Sequence, residues 1–260
     1  MASPKRSSGR AAPRPGTAVR PVRRLDPRTL QEEVLVVLWL SLLASAVFAI
    51  INLTSAPVKG QTVFAVPQVG FATQLADFVF GLAPVWLVLF LVRRNGEGLA
   101  AIGMAWDRPR RDIGRGLALF VVVGLAGIGV YLGGVALGVN RFVVPVPPLG
   151  HWWTVPVLVM SAAHAALVEE TIVVGYLITR LRQFGLSVAA AIALPALLRG
   201  AYHLYQGWGG FAGNLAMGLF FGFVFTRTRR TWPLIIAHFL LNLGAGVGYM
   251  LFREHLPGFA

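Results

Sequence analysis

Seven stretches of the chain are apolar and long enough to cross a lipid bilayer, and this feature constrains the fold more than any other. A transmembrane helix needs about 20 mostly apolar residues. Only 13% of the residues are charged, whereas soluble domains carry about 25%. The pattern predicts an all-α polytopic membrane protein with about seven transmembrane helices, at residues 33–54, 71–92, 116–138, 153–179, 185–205, 210–226 and 231–252.

The basic residues are distributed unevenly between the two sides of these predicted spans. Most of the 23 Lys and Arg residues fall in the N-terminal tail and in the links after the second, fourth and sixth spans, whereas Lys59, Arg141 and Arg253 fall on the other side. Cytoplasmic loops carry such an excess, so the sequence predicts a multi-pass protein of the cell membrane with a cytoplasmic N-terminus. The formal net charge of +13 is then an orientation signal that can hold anionic lipids, and we expect no nucleic-acid partner.

The first residues differ in composition from the rest. They are rich in Pro, Arg, Ser and Ala and nearly lack large apolar side chains, which is typical of disorder. We therefore expect a disordered basic cytoplasmic tail over residues 1–29 and a transmembrane helical domain over 30–260. The chain contains no cysteine, which excludes disulfides and Cys-based metal or redox chemistry. The oligomeric state does not follow from the sequence.

Ionisable and amide side chains inside the last spans predict a functional site, because such groups are costly in the bilayer and usually face a cavity or a partner. Residues four apart on a helix share a face. Arg199 and His203 have this spacing, and so do His238 and Asn242. We expect a polar cavity formed by the last four helices, with a core at about 153–245, lined by Glu169, Glu170, Arg199, His203, His238 and Asn242.

These residue types can hydrolyse a peptide bond. Glu169 can deprotonate a water molecule, and His203 can hold that water and share the proton. His238 and Asn242 can donate hydrogen bonds to the oxyanion that develops on the scissile carbonyl. A divalent metal such as zinc is the competing use, with Glu169, His203 and His238 as a common catalytic ligand set, although the chain has no HExxH stretch.

Three motifs in this region match a family pattern. Residues 168–177 resemble a motif of Glu-Glu, three residues, Arg and usually Gly; Arg199 to His203 aligns with Phe, three residues, His; and His238 to Asn242 aligns with His, three residues, Asn or Asp. The chain is similar here to the CPBP (Abi) family of intramembrane proteases, which includes the type II CAAX prenyl endopeptidases and bacteriocin-processing enzymes.

The resemblance implies an intramembrane endopeptidase that acts on a membrane-associated peptide or protein. In that scheme Glu169 and His203 activate water, His238 and Asn242 form the oxyanion hole, and no cofactor is required. Other functions stay open: a catalytically silent scaffold or immunity-type protein of the same fold, or a proton-coupled transporter, which would predict inverted repeats that the sequence does not show. The substrate and its cleavage site do not follow from the sequence.

Two positions depart from the family pattern, with Val174 in place of the motif Arg and Arg199 in place of the motif Phe. The family's Arg pairs with the second Glu of the motif, so Glu170 loses that partner here. We expect Arg199 to reach across from the fifth span and pair with Glu170, since a planar guanidinium suits a carboxylate. The alternative is that Arg199 extends toward the outer lipid headgroups.

Overall fold

The structure is a computed structural model that describes residues 26–55 and 62–255. Residues 1–25 of the expected tail lie outside these ranges. The first helix begins at Pro27, slightly before the expected start of the transmembrane domain at residue 30. Its start follows from local chemistry, because the Asp26 side chain accepts a hydrogen bond from the Thr29 backbone N–H and proline suits the first helical position.

Helices account for 77% of the described chain, and strands for very little of it. A two-stranded parallel sheet, which the all-α prediction did not include, pairs β1 (Thr62–Phe64) with β2 (Phe142–Val144). Three 3₁₀ turns cover Leu99–Ile102, Leu204–Gln206 and Arg253–His255. The α-helices are α1 (Pro27–Trp39), α2 (Leu43–Ser55), α3 (Phe71–Gly81), α4 (Ala83–Arg94), α5 (Pro109–Ala136), α6 (Thr154–Glu169), α7 (Ile178–Gln183), α8 (Val188–Tyr202), α9 (Trp208–Thr228) and α10 (Trp232–Phe252).

Five helical runs in the described chain are long and apolar enough to cross a membrane. They are Phe71–Arg94, Pro109–Ala136, Thr154–Gln183, Trp208–Thr228 and Trp232–Phe252. The first predicted span, 33–54, coincides with the two shorter helices α1 and α2, and the fifth, 185–205, with the 15-residue helix α8. The predicted class, an all-α multi-pass membrane protein, is confirmed, while the first span is divided by a turn after Trp39.

The run Thr154–Gln183 is the central helix of the fold, and it changes character halfway along. Between α6 and α7 the segment Glu170–Leu177 is a π-helix, and all of its residues are buried. A π-helix closes its hydrogen bonds one residue further along than an α-helix and is frequent at functional sites. Here it begins at the second residue of the Glu169–Glu170 pair.

Helix α8 reaches the centre of the fold because small residues let it approach α9 closely. A Cβ atom added to Gly218 would lie 3.0 Å from the Cα atom of Ala196, and one added to Gly222 would lie 2.8 Å from Cγ2 of Ile192. Small residues at such spacing are typical of close helix packing in membranes. The approach brings Arg199, near the end of α8, against the central helix.

One end of the bundle collects many of the arginines, and we call it the basic end. It is formed by the ends of α4, α7 and α9 and by the starts of α5 and α10. Arg230 there binds Asp107 and Asp112, and Arg180 Nη1 lies 2.7 Å from Glu97 Oε2. The Arg230 guanidinium beside Asp107 lowers the pKa of that exposed carboxyl. The grouping of basic links that the sequence predicts is therefore present, while the side of the cell that this end faces stays a prediction.

Candidate active site

Glu170 is fully buried and binds two side chains through one oxygen. Arg199 Nη1 donates to Glu170 Oε1 at 2.7 Å, and His238 Nδ1 lies 2.8 Å from the same oxygen. Arg199 is itself fully buried. The expected pairing of Arg199 with Glu170 is thus present, and the alternative in which the guanidinium extends to the headgroups is wrong. An ionised carboxylate only accepts hydrogen bonds, and a guanidinium only donates them. Arg199 Nη2 lies 3.3 Å from His238 Nδ1, further away than Glu170 Oε1. We therefore assign the Nδ1 proton to the shorter contact, in which His238 donates a hydrogen bond to Glu170.

Two residues of α8 hold one oxygen of the Glu169 carboxylate. The Tyr202 hydroxyl donates to Glu169 Oε2 at 2.7 Å, and Arg199 Nη2 lies 3.4 Å from that same oxygen. None of the described residues hydrogen-bonds to Oε1, and 12% of the side chain stays exposed. One oxygen of this carboxylate is therefore fixed, and the other is free to contact a water molecule.

His203 follows directly after the last residue of α8, and the helix end sets its orientation. Its Nδ1 lies 2.9 Å from the Arg199 carbonyl oxygen, while its backbone N–H donates to Gly200. Since a carbonyl oxygen only accepts, Nδ1 carries the proton, and Nε2 is left as an acceptor. The His203 ring also lies beside the Tyr202 ring, with the centroids 4.7 Å apart.

Asn242 lies one helical turn after His238 on α10. Its side chain is half-buried and makes no hydrogen bond to any residue in the described ranges, so its amide is free to donate. Val174, at the motif position of the missing arginine, is buried in an apolar cluster with Phe221 and Leu234. That cluster offers no acceptor for a charged side chain.

Arg199 neutralises part of the negative charge of the two glutamates. Its guanidinium contacts both carboxylates and packs over the Phe221 ring at 5.7 Å from the centroid. A buried charge is tolerable only when it is paired and hydrogen-bonded. Arg199 is therefore the residue that allows two adjacent glutamates to lie inside the bundle.

The structure brings most of the sequence-predicted residues into one connected group. Glu169, Glu170 and His238 meet at Arg199, and His203 joins them through the Arg199 backbone. Asn242 shares the α10 face with His238 but makes no contact to the group. The sequence analysis missed Tyr202, whose place between Arg199 and His203 was the available signal, because it lies three residues after the first and directly before the second.

The side chains as they stand do not form a metal site. No three His, Asp or Glu side chains in the described ranges converge closely enough to hold a metal ion. Among the candidate ligands Glu169, His203 and His238, Glu169 lies 3.4 Å from the Arg199 guanidinium, and this positive charge opposes a second cation at the same carboxylate.

Comparison with known proteins covers the same region. Residues 151–244 match the family model described as type II CAAX prenyl endopeptidase Rce1-like. No curated protein and no solved structure matches the chain. The matched range contains every site residue named above and nearly coincides with the core expected at 153–245. Residues 151–244 of this chain are therefore similar to the CAAX-type intramembrane proteases, in agreement with the family resemblance that its three motifs carry.

Proposed function

We propose that this protein is an intramembrane endopeptidase that cleaves membrane-associated proteins or peptides, with Glu169 as the general base. The observation that carries the proposal is the state of the Glu169 carboxylate. One of its oxygens is fixed by Tyr202 and Arg199, and the other has no partner among the described residues. A base must be oriented and must still have a free lone pair to take a proton, and this arrangement supplies both.

The first step is attack by water. Glu169 Oε1 removes a proton from a water molecule, and His203 Nε2 accepts the water's second hydrogen bond and so fixes its direction. The oxygen of this water adds to the scissile carbonyl carbon to give a tetrahedral intermediate. The proton held by Glu169 then passes to the leaving nitrogen, the C–N bond breaks, and the carboxylate is restored.

The oxyanion of that intermediate needs donors on the opposite side of the carbonyl. The Asn242 amide can donate without any change. His238 can donate from Nε2 only as an imidazolium, because its Nδ1 proton is already bonded to Glu170. The buried Glu170 carboxylate stabilises that positive charge, which gives the second glutamate of the motif its role.

Comparison of membrane proteomes tests the proposal. Cells that express wild type should contain cleaved peptides that are absent with Glu169→Gln, a change that keeps the shape of the side chain but cannot take the proton. Glu32→Gln is the matched control, since Glu32 is exposed on α1 and should leave every cleavage in place. Both variants should insert in the membrane at the wild-type level.

Three outcomes would contradict this assignment. Cleavage by purified Glu169→Gln at the wild-type rate would show that Glu169 is not the general base. If cells that express wild type and cells that express Glu169→Gln contain the same peptides, with both proteins present in the membrane, the result would favour the catalytically silent scaffold. Activity that a chelator abolishes and zinc restores would replace the metal-free scheme by one in which Glu169, His203 and His238 rearrange around the ion.

A further inference from the structure

The segment Leu99–Met104 enters the bundle at the basic end and is bound there through its backbone; we call it the plug. The Thr231 backbone N–H donates to the Gly103 carbonyl at 2.9 Å, and Thr231 Oγ1 donates to the Ile102 carbonyl at 2.6 Å. The Ile102 side chain is completely buried. The second half of the plug, from Ile102 to Met104, is therefore part of the packed core, while Ala100 in its first half stays exposed.

Two glycines show how closely the plug fits. A Cβ atom at Gly175, in the π-helix, would lie 2.8 Å from the Ile102 carbonyl oxygen. A Cβ atom at Gly103 would lie 2.7 Å from Thr231 Oγ1, and Gly103 also has a φ of 76°, which favours glycine. Real Cβ atoms do not approach other atoms this closely, so glycine at both positions is a condition for the plug to dock.

The plug extends as far as the glutamate pair. Met104 Sδ accepts from Thr171 Oγ1 at 3.7 Å, and Thr171 directly follows Glu170. Every residue from Glu170 to Arg180 is buried. In this conformation the space between the basic end and the two carboxylates is filled by protein, so a peptide cannot reach them from that end.

The open polar groups lie on the other side of the carboxylates. His203 and Asn242 follow Arg199 and His238 by four residues on helices that run away from the basic end, which places them about 6 Å further from it. Both are half-buried, as is Gln206 just beyond. The backbone of the turn at 203–207 is fixed from outside, since the Arg141 N–H donates to the Gln206 carbonyl at 2.9 Å.

We infer that the substrate reaches Glu169 from the end opposite the basic end, past His203 and Asn242, while the plug keeps the basic end closed. This inference rests on the proposed function and narrows its substrates. With the basic end in the cytoplasm, as the charge distribution predicts, the cleaved bonds belong to exported or membrane-anchored polypeptides in the outer half of the bilayer. Cytoplasmic C-terminal tails are not substrates.

Single cysteines test the direction of access, and the chain offers a clean background because it contains none. The variants are Asn242→Cys inside the site, Met104→Cys inside the plug, and Ala100→Cys on the exposed surface of the basic end. Each is treated with a membrane-impermeant, negatively charged methanethiosulfonate in right-side-out and in inverted vesicles. Asn242→Cys and Ala100→Cys should be labelled from opposite sides, and Met104→Cys should label at least tenfold more slowly than either.

Labelling of Asn242→Cys from the side that labels Ala100→Cys would overturn the inference, as would no labelling of Asn242→Cys from the opposite side. These measurements need no turnover. If the chain proves to have no peptidase activity, the proposed function fails while the direction of access is still decided.

A second experiment holds the plug in place. Arg229 Nη2 donates to the Ala101 carbonyl at 3.0 Å, so Ala101→Cys with Arg229→Cys can be joined by a short bifunctional maleimide. The cleavages that Glu169→Gln abolishes should continue in the cross-linked protein at the rate of the uncross-linked double variant. Loss of cleavage on cross-linking, with both single-cysteine variants unaffected by the reagent, would show that the plug opens for the substrate and would refute the inference.

Discussion

Replacement of Arg199 by leucine removes the guanidinium that, among the described residues, contacts both buried glutamates of the site. Arg199 and Glu170 are both fully buried and 2.7 Å apart, and the same guanidinium lies 3.4 Å from Glu169. Loss of one partner of a buried pair costs about 3–5 kcal/mol. At about 1.4 kcal/mol per tenfold change, the folded fraction relative to the unfolded one should fall by roughly two to three and a half orders of magnitude.

The assay is the free energy of unfolding in mixed detergent micelles, with Arg227→Leu as the matched control. Arg227 is exposed near the end of α9, so its loss changes the net charge equally and should cost less than about 0.5 kcal/mol. Arg199→Lys should fall between the two, because one ammonium cannot bind both carboxylates in the way a guanidinium does.

A double variant tests whether the charge can return to its family position. Val174→Arg with Arg199→Phe should recover much of the lost stability, since the new guanidinium lies one turn from Glu170 and its other neighbours are apolar. Val174→Arg alone should be destabilising, because it adds a second buried cation. An Arg199→Leu protein as stable as Arg227→Leu would refute the account of the site given above.

Three further measurements address the catalytic assignment and the topology. Tyr202→Phe should lower kcat about tenfold with KM nearly unchanged, because it releases Glu169 Oε2, whereas Tyr205→Phe should match wild type; a Tyr202→Phe enzyme with normal kcat would remove the hydroxyl from the scheme. Asn242→Ala should lose roughly 10²–10³ in rate and stay above Glu169→Gln. Finally, Ala105→Cys and Thr228→Cys should resist an impermeant thiol reagent in intact cells and react after permeabilisation, and labelling of either in intact cells would reverse the predicted orientation.

The contact between Arg199 and Glu170 was predictable from the sequence because electrostatics in a bundle of low polarity leaves few solutions. A buried carboxylate needs a proton or a cation, and Arg199 was the one cation predicted inside the last spans. The spacing of His238 and Asn242 likewise predicted a shared face. In each case the side chain is charged or strongly polar, and its burial without a hydrogen-bonding or ionic partner is unfavourable.

Other features escaped prediction because they depend on backbone geometry. The turn after Trp39 divides an apolar run that has no Gly or Pro at that point to signal it. The π-helix leaves no trace in hydrophobic periodicity, since its residues are all buried. The plug is a short apolar stretch inside a basic link between two predicted spans, and only the close approach at Gly175 shows that it lies inside the bundle.

The π-helix also sets the rotation of one end of the central helix relative to the other about the helix axis. If this rotation changed, no substitution of side chains could correct it. Glu169 lies just before the π-helix and Glu170 at its start, where they contact Arg199, whereas Gly175 near its end and Thr179 beyond it contact the plug. Deletion of one residue between them would turn one half against the other by about 100°. Either the glutamates would then turn away from Arg199, or Gly175 and Thr179 would turn away from the plug. The extra residue in this turn is thus a rotational adjustment, and the length of the segment is as much a part of the site as its chemistry.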